Sequence, residues 1–183
     1  MRRAATGLLV VLALAVAATG CGGSDNSSET SAADEWASGF CGAVTDWKNS
    51  LKDITSRFND TSNLSADGVQ SAADDARSAT DTLISSIKDL GAPDTESGQE
   101  AKDAIDSLST TLDTEMSSIQ DTAKGVSSLT EIPGAISTIS TSVAAMSAAF
   151  SQTLTTISDA DTKGELKTAF EDSPDCADLT NDS

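Results

Sequence analysis

Carboxylates, hydroxyls and three cysteines are the side chains through which this chain could do chemistry, because its 183 residues include no His and no Tyr. Without imidazole there is no His-based acid/base relay, and most transition-metal sites lose their usual nitrogen ligand. Nucleophilic catalysis would have to come from Ser assisted by Lys, or from paired carboxylates. The abundant serines come without a Gly-x-Ser-x-Gly elbow. Asp74-Asp75 and the Asp103/Asp106 pair fall on otherwise polar helix faces, so they read as solvated charge rather than as the two acids of a glycosidase.

The most metal-like stretch is Asp159-Ala160-Asp161-Thr162-Lys163-Gly164-Glu165, which begins as a calcium loop does, with acids at positions 1 and 3 and Gly at position 6. Lys163 stands at position 5, where an oxygen ligand belongs, and Phe170 at position 12, where a bidentate Glu should close the site. The segment is therefore expected to be a turn between helices. Trp36 and Trp47 could cradle a ligand, but both lie on an apolar stripe at helical spacing and are expected in the core. No catalytic residue, metal ligand or cofactor is expected, and the chain is not read as an enzyme.

Cys21 has a different context. Arg2 and Arg3 precede an apolar run of eleven, Leu8 to Ala18, and Ala18-Thr19-Gly20-Cys21 follows as a lipobox-like ending. The run is too short for a hydrocarbon core that needs roughly 20 residues, so residues 1–20 read as a cleaved lipoprotein signal peptide. Cys21 is then the lipidation site and membrane anchor, with palmitate-type acyl chains. Residues 21–32, rich in Gly and Ser, read as a lipidated flexible tether.

Beyond the tether the apolar residues keep a helical period. Trp36, Phe40, Val44, Trp47, Leu51, Ile54 and Phe58 mark a helix over about 33–58. Asn59-Asp60-Thr61-Ser62-Asn63 then reads as a turn, with Ser65 as a helix cap. Val69, Ala73, Ala76, Leu83, Ile87 and Leu90 mark a second helix over about 65–90, ended by Gly91-Ala92-Pro93. The third runs from near Thr95 to Lys124-Gly125 through Ala101, Ile105, Leu108, Leu112, Met116, Ile119 and Ala123. Its boundary with the fourth is ambiguous, because Val126 and Leu129 extend the period. The fourth, about 133–158, carries Ile136, Ile139, Val143, Met146, Phe150, Leu154 and Ile157, and no charged residue from Ile132 to Ser158. Its many Ser and Thr argue for a bundle helix with a hydroxyl-rich outer face rather than a membrane span.

Similar helix lengths and short connections predict an all-α, up-down-up-down four-helix bundle. A short C-terminal helix with Leu166 and Phe170 follows, and Thr162 and Glu165 have capping-box spacing. The bundle domain is placed at 33–178 and a polar C-terminal tail at 179–183. An even number of long helices returns the chain to its starting end. Cys41 and Cys176 can therefore meet, and in an oxidising, exported setting they are expected to pair as a structural disulfide stapling the bundle. Gly39 and Gly42 are expected to make room for the returning Pro174-Asp175-Cys176 segment.

The charge balance fits this picture. Lys and Arg total 11 against 29 Asp and Glu, net −18, and loss of Arg2 and Arg3 with the signal leaves −20. Such a surface cannot neutralise phosphates, so no nucleic-acid partner is expected. High charge can signal disorder, but the periodicity places the acids on the outer faces of ordered helices.

The Arg-Arg signal, the lipobox Cys21, Trp36-Ala-Ser-Gly-Phe-Cys41 with Trp47, and the turn Leu90-Gly-Ala-Pro-Asp-Thr95 together resemble small all-helical secreted lipoproteins of actinobacteria. The resemblance implies a location and a helical fold, and carries over no catalytic residue. The expected role is that of a lipid-anchored protein on the extracytoplasmic face of the cell membrane. There it would be an acidic interaction or structural module for another envelope component. The alternative is a carrier holding an apolar small molecule or lipid between helices, for which Ala72, Ala73, Ala76 and Ala79 could leave space.

Overall fold

Ser31 starts the first helix: its Oγ accepts the Asp34 N–H at 3.1 Å, and the Asp34 carboxylate accepts the Ser31 N–H at 3.0 Å. This reciprocal box satisfies two otherwise orphaned donors and opens α1, Ala32–Ser56. A computed structural model describes residues 31–57 and 65–180. The signal segment 1–20, Cys21, the tether up to residue 30, Phe58, the 59–63 turn and residues 181–183 lie outside the described residues. The remaining helices are α2 Ala66–Asp89, α3 Gly98–Lys124, α4 Ile132–Ala160, α5 Glu165–Asp172 and α6 Pro174–Thr180.

The ends follow local chemistry. Ser65 Oγ accepts the Gly68 N–H at 3.0 Å and starts α2. Gly91, with φ of 66°, turns the chain out of α2 in a left-handed conformation that costs Gly little. Gly98 begins α3 against the preceding turn so closely that a Cβ there would lie 2.0 Å from the Pro93 carbonyl oxygen. Gly125 caps α3, which resolves the ambiguous boundary: Val126 is buried beyond the helix, and Leu129 belongs to the connection. Glu131 holds that connection together, accepting the Ser127 N–H at 2.7 Å and the Ser128 N–H at 3.0 Å.

The four long helices form a bundle whose chain neighbours pack against each other, with α5 and α6 lying on α1. Its core is continuous, from Trp36, Phe40 and Trp47 on α1 through Leu83 and Ile87 on α2 and Leu108, Leu112 and Met116 on α3 to Met146 and Ile157 on α4. Both Trp residues are buried, as expected, and each satisfies its indole N–H. Trp36 Nε1 donates to the Gly91 carbonyl and Trp47 Nε1 to Thr80 Oγ1, both at 3.0 Å. Cys41 and Cys176 form the disulfide, with Cα atoms 5.0 Å apart across 135 residues of sequence.

Four details differ from the sequence reading. The C-terminal segment makes two short helices, and Cys176 lies on the second. The room for α6 comes from Ala37, whose carbonyl oxygen is 3.8 Å from Cys176 Sγ. A Cβ on Gly39 would instead meet Leu90 at 2.7 Å, and around Gly42 nothing lies within 4 Å. The α5 cap is Gly164, with φ of 74°, rather than Thr162, and Asp161 takes the capping role by accepting the Lys167 N–H at 2.8 Å.

The fourth difference concerns α4. The side it buries is Ile132, Ala135, Ser142, Met146, Thr153 and Ile157, whereas Ile136, Val143 and Leu154 of the expected stripe are exposed. Small side chains on the buried side let α4 lie close along α3, its most extensive partner. The large apolar residues are thereby turned toward the seam with α1, where the two helices do not pack backbone to backbone.

Candidate functional site: an apolar cavity between the helices

The alanines of α2 set up the site. Where Val69, Ala72, Ala73 and Ala76 face the bundle axis, three successive positions have methyl side chains, and the space is not filled from elsewhere. Opposite them stand Leu51 and Ile54 of α1, Met116 and Ile119 of α3, and Ile132, Ile136, Ile139, Val143 and Met146 of α4. The volume of this partly open cavity is about 470 Å³, within the ~300–1,000 Å³ typical of small-molecule sites. It lies at the end of the bundle opposite the disulfide, since its walls come from the end of α1 and the beginnings of α2 and α4.

One side of the cavity is closed by a buried polar knot. Thr80 Oγ1 receives the Trp47 N–H, donates to the Ala76 carbonyl at 2.8 Å and lies 3.5 Å from Met116 Sδ. Phe150 of α4 packs on Trp47 with ring centres 5.3 Å apart. Beyond that contact α5 and α6 lie on α1, while toward the cavity end α1 and α4 both line the opening. Ile136 and Val143, 53% and 43% exposed, stand at this opening. Lys52, Thr55 and Ser140 are the polar residues of the lining, and all three are exposed.

The acids flagged by the sequence do not converge. Asp75 pairs with Arg57, while Asp74 accepts a hydrogen bond from Gln120 at 3.1 Å. Asp103 accepts one from Gln99 at 2.8 Å. Asp106 pairs with Lys102 at 2.6 Å, and that hydrogen bond holds its carboxyl below the usual range. Arg77 bridges α2 to α3 through Asp113 at 2.6 Å. Partial burial pulls its pKa down, but hydrogen bonds with Asp113 and Asp81 outweigh that and leave it raised. Ser85 and Lys88 have the Ser-x-x-Lys spacing, and both are exposed on α2. Among the described residues, no group of three or more Cys, Asp or Glu is placed to hold a metal ion.

The calcium-like stretch is a turn between α4 and α5. Asp161 is buried there, with one carboxylate oxygen capping α5 and the other 3.5 Å from Ser97 Oγ, while Lys163 pairs with Glu96 at 2.9 Å. α4 is long and apolar enough by length and composition to cross a membrane, yet it is packed into the bundle along α3. The chain matches no family model, no curated protein and no solved structure, so function rests on the geometry described above.

Proposed function

We propose that this chain is a non-enzymatic lipoprotein, anchored through Cys21 to the extracytoplasmic face of the cell membrane, whose bundle holds an apolar small molecule or lipid chain. The observation that carries the binding role is the 470 Å³ cavity with walls of Leu, Ile, Val, Met and Ala. A well-packed bundle leaves few voids larger than a water molecule. Here three alanines coincide with large side chains that stop short of each other, at the place where α1 and α4 part. Filling that space with hydrocarbon removes apolar wall from water at roughly 25 cal/mol per Å².

The test is mass spectrometry of organic extracts from the chain purified without delipidation. A bound apolar molecule at near-equimolar amount is the expected result. A chain that carries none, and takes up no fatty acid or alkane when offered one, would overturn the proposal. The anchor has its own test, since Cys21→Ser should move the protein out of the membrane fraction.

A second reading, an acidic interaction module of the envelope, has one observation in its favour. Leu129, Ile136, Val143 and Leu154 are exposed, and three of them lie on an α4 that has no charge from 132 to 158. Crosslinking in intact cells, with identification of the proteins joined to α4, addresses that reading.

A further inference from the structure

We infer that the occupant of this cavity is a single-chain amphiphile with a carboxylate head, seated tail inward with its head at Lys52. The inference rests on the binding role proposed above and adds the ligand's length, charge and direction.

Length comes from volume. At about 30 Å³ for each water-sized group, 470 Å³ takes on the order of fifteen non-hydrogen atoms. That is the size of one chain of about fourteen carbons with a small head.

Charge comes from the rim. In a chain with 29 Asp and Glu against 11 Lys and Arg, no carboxylate among the described residues lines the cavity and one ammonium does, that of Lys52. Of the ion pairs among the described residues, none uses Lys52.

Direction follows from the separation of the two kinds of lining. Lys52, Thr55 and Ser140 are exposed, on α1 and α4, the two helices that flank the opening. Ala73 and Met116, fully buried, form the inner wall. An ammonium and two hydroxyls suit a small anionic acceptor, and the interior beyond them has only hydrocarbon and thioether to contact.

The experiment compares tetradecanoate, tetradecanol and the lysophosphatidylglycerol with the same chain. Binding is read by tryptophan fluorescence, because Trp47 is hydrogen-bonded to the Thr80 that touches the Met116 wall, and by calorimetry. Wild-type chain should bind tetradecanoate about three- to fivefold more tightly than tetradecanol, the scale of an exposed ion pair, and high salt should narrow the gap. Lys52→Arg should keep the preference. Lys52→Glu should weaken tetradecanoate by about tenfold while leaving tetradecanol within twofold.

Equal affinities for acid and alcohol, or a Lys52→Glu variant that does not discriminate, would overturn the carboxylate assignment and leave the apolar binding role standing. Tighter binding of the lysolipid than of tetradecanoate would replace the carboxylate head with a phosphate one. Binding of none of the three would remove both this inference and the role beneath it.

Discussion

Filling the cavity from within should stabilise the protein, which is the opposite of what enlarging a core residue usually does. Ala73 is buried, lines the cavity and sits in the middle of the methyl-lined stretch of α2. Ala73→Leu places three more carbons in the void. At about 0.8 kcal/mol for each buried methylene the gross gain is about 2.4 kcal/mol. Ordering a leucine side chain takes back about 0.5–1 kcal/mol, leaving about 1.5 kcal/mol. For a chain of this size each kcal/mol moves Tm by about 2–4 °C, so the melt followed by circular dichroism should rise by roughly 3–6 °C. The same variant should bind tetradecanoate less well, because three carbons take up about 90 Å³ at ~30 Å³ each. Ala37→Leu is the control, since Ala37 is fully buried where Cys176 approaches, and overpacking there should cost about 1–3 kcal/mol. If Ala73→Leu lowers Tm as Ala37→Leu does, the site is packed in solution and the cavity argument fails.

Removing the staple with Cys41→Ser/Cys176→Ser should lower stability by about 2–5 kcal/mol, given a closed loop of this length, and a reducing agent should shift the wild-type melt while leaving the double variant unmoved. Two glycines should respond in opposite directions: Gly98→Ala should destabilise, because its Cβ would lie 2.0 Å from the Pro93 oxygen. Gly42→Ala, with nothing within 4 Å, should stabilise by about 0.5–1 kcal/mol as a helix-interior substitution; chemical denaturation of both variants checks the pair. Glu131 is held below the ordinary carboxylate range, first by the Ser127 N–H and then by the Ser127 hydroxyl and Ser128 N–H. Its contribution is therefore present above the unfolded pKa and is lost as pH falls through the lowered folded value. The stability gap between wild type and Glu131→Gln, measured from pH 7 to pH 3, should shrink toward the acid end, and a constant gap would contradict the assignment.

The bundle and its staple were legible in the sequence because each rests on a strong regularity. The helices follow from apolar residues at spacings of three and four, and the Cys41–Cys176 pairing follows from counting how many times the chain crosses the bundle. The caps were legible where a single side chain decides them, as at Ser65, and not at α5, where two residues compete and Asp161 wins by reaching the Lys167 N–H. α4 misleads for a definite reason. Its apolar residues cover a wide arc and its small residues cover another, so hydrophobicity alone points to Ile136 and Val143 as core. Close approach of two backbones favours the Ala135–Ser142–Thr153 side instead. That choice is tertiary, since it depends on the shape of α3. The cavity was half visible: the alanines that make one wall could be read off α2, but the parting of α1 from α4 that leaves their space unfilled could not.

The staple and the proposed binding cavity lie at opposite ends of the bundle. At one end α5 and α6 lie on α1, the disulfide joins α6 to α1, and Trp36, Phe40 and Phe170 pack with ring centres 5.8–6.0 Å apart. Ser38 and Ser173 join the same surfaces at 3.1 Å. At the other end α1 and α4 flank a cavity and, beyond the Trp47–Phe150 ring contact at its inner edge, are joined by none of these devices among the described residues. A ligand of the proposed kind would meet the side chains along the seam, from Leu51 to Val143, away from the contacts that hold the other end together. Because stability is local as well as global, a bundle stapled at one end can give way at the other without unfolding. The same asymmetry explains why the alanines are tolerated. The packing forfeited around Ala72, Ala73 and Ala76 is offset by a long-range crosslink and an aromatic cluster about three to five helical turns away along α1.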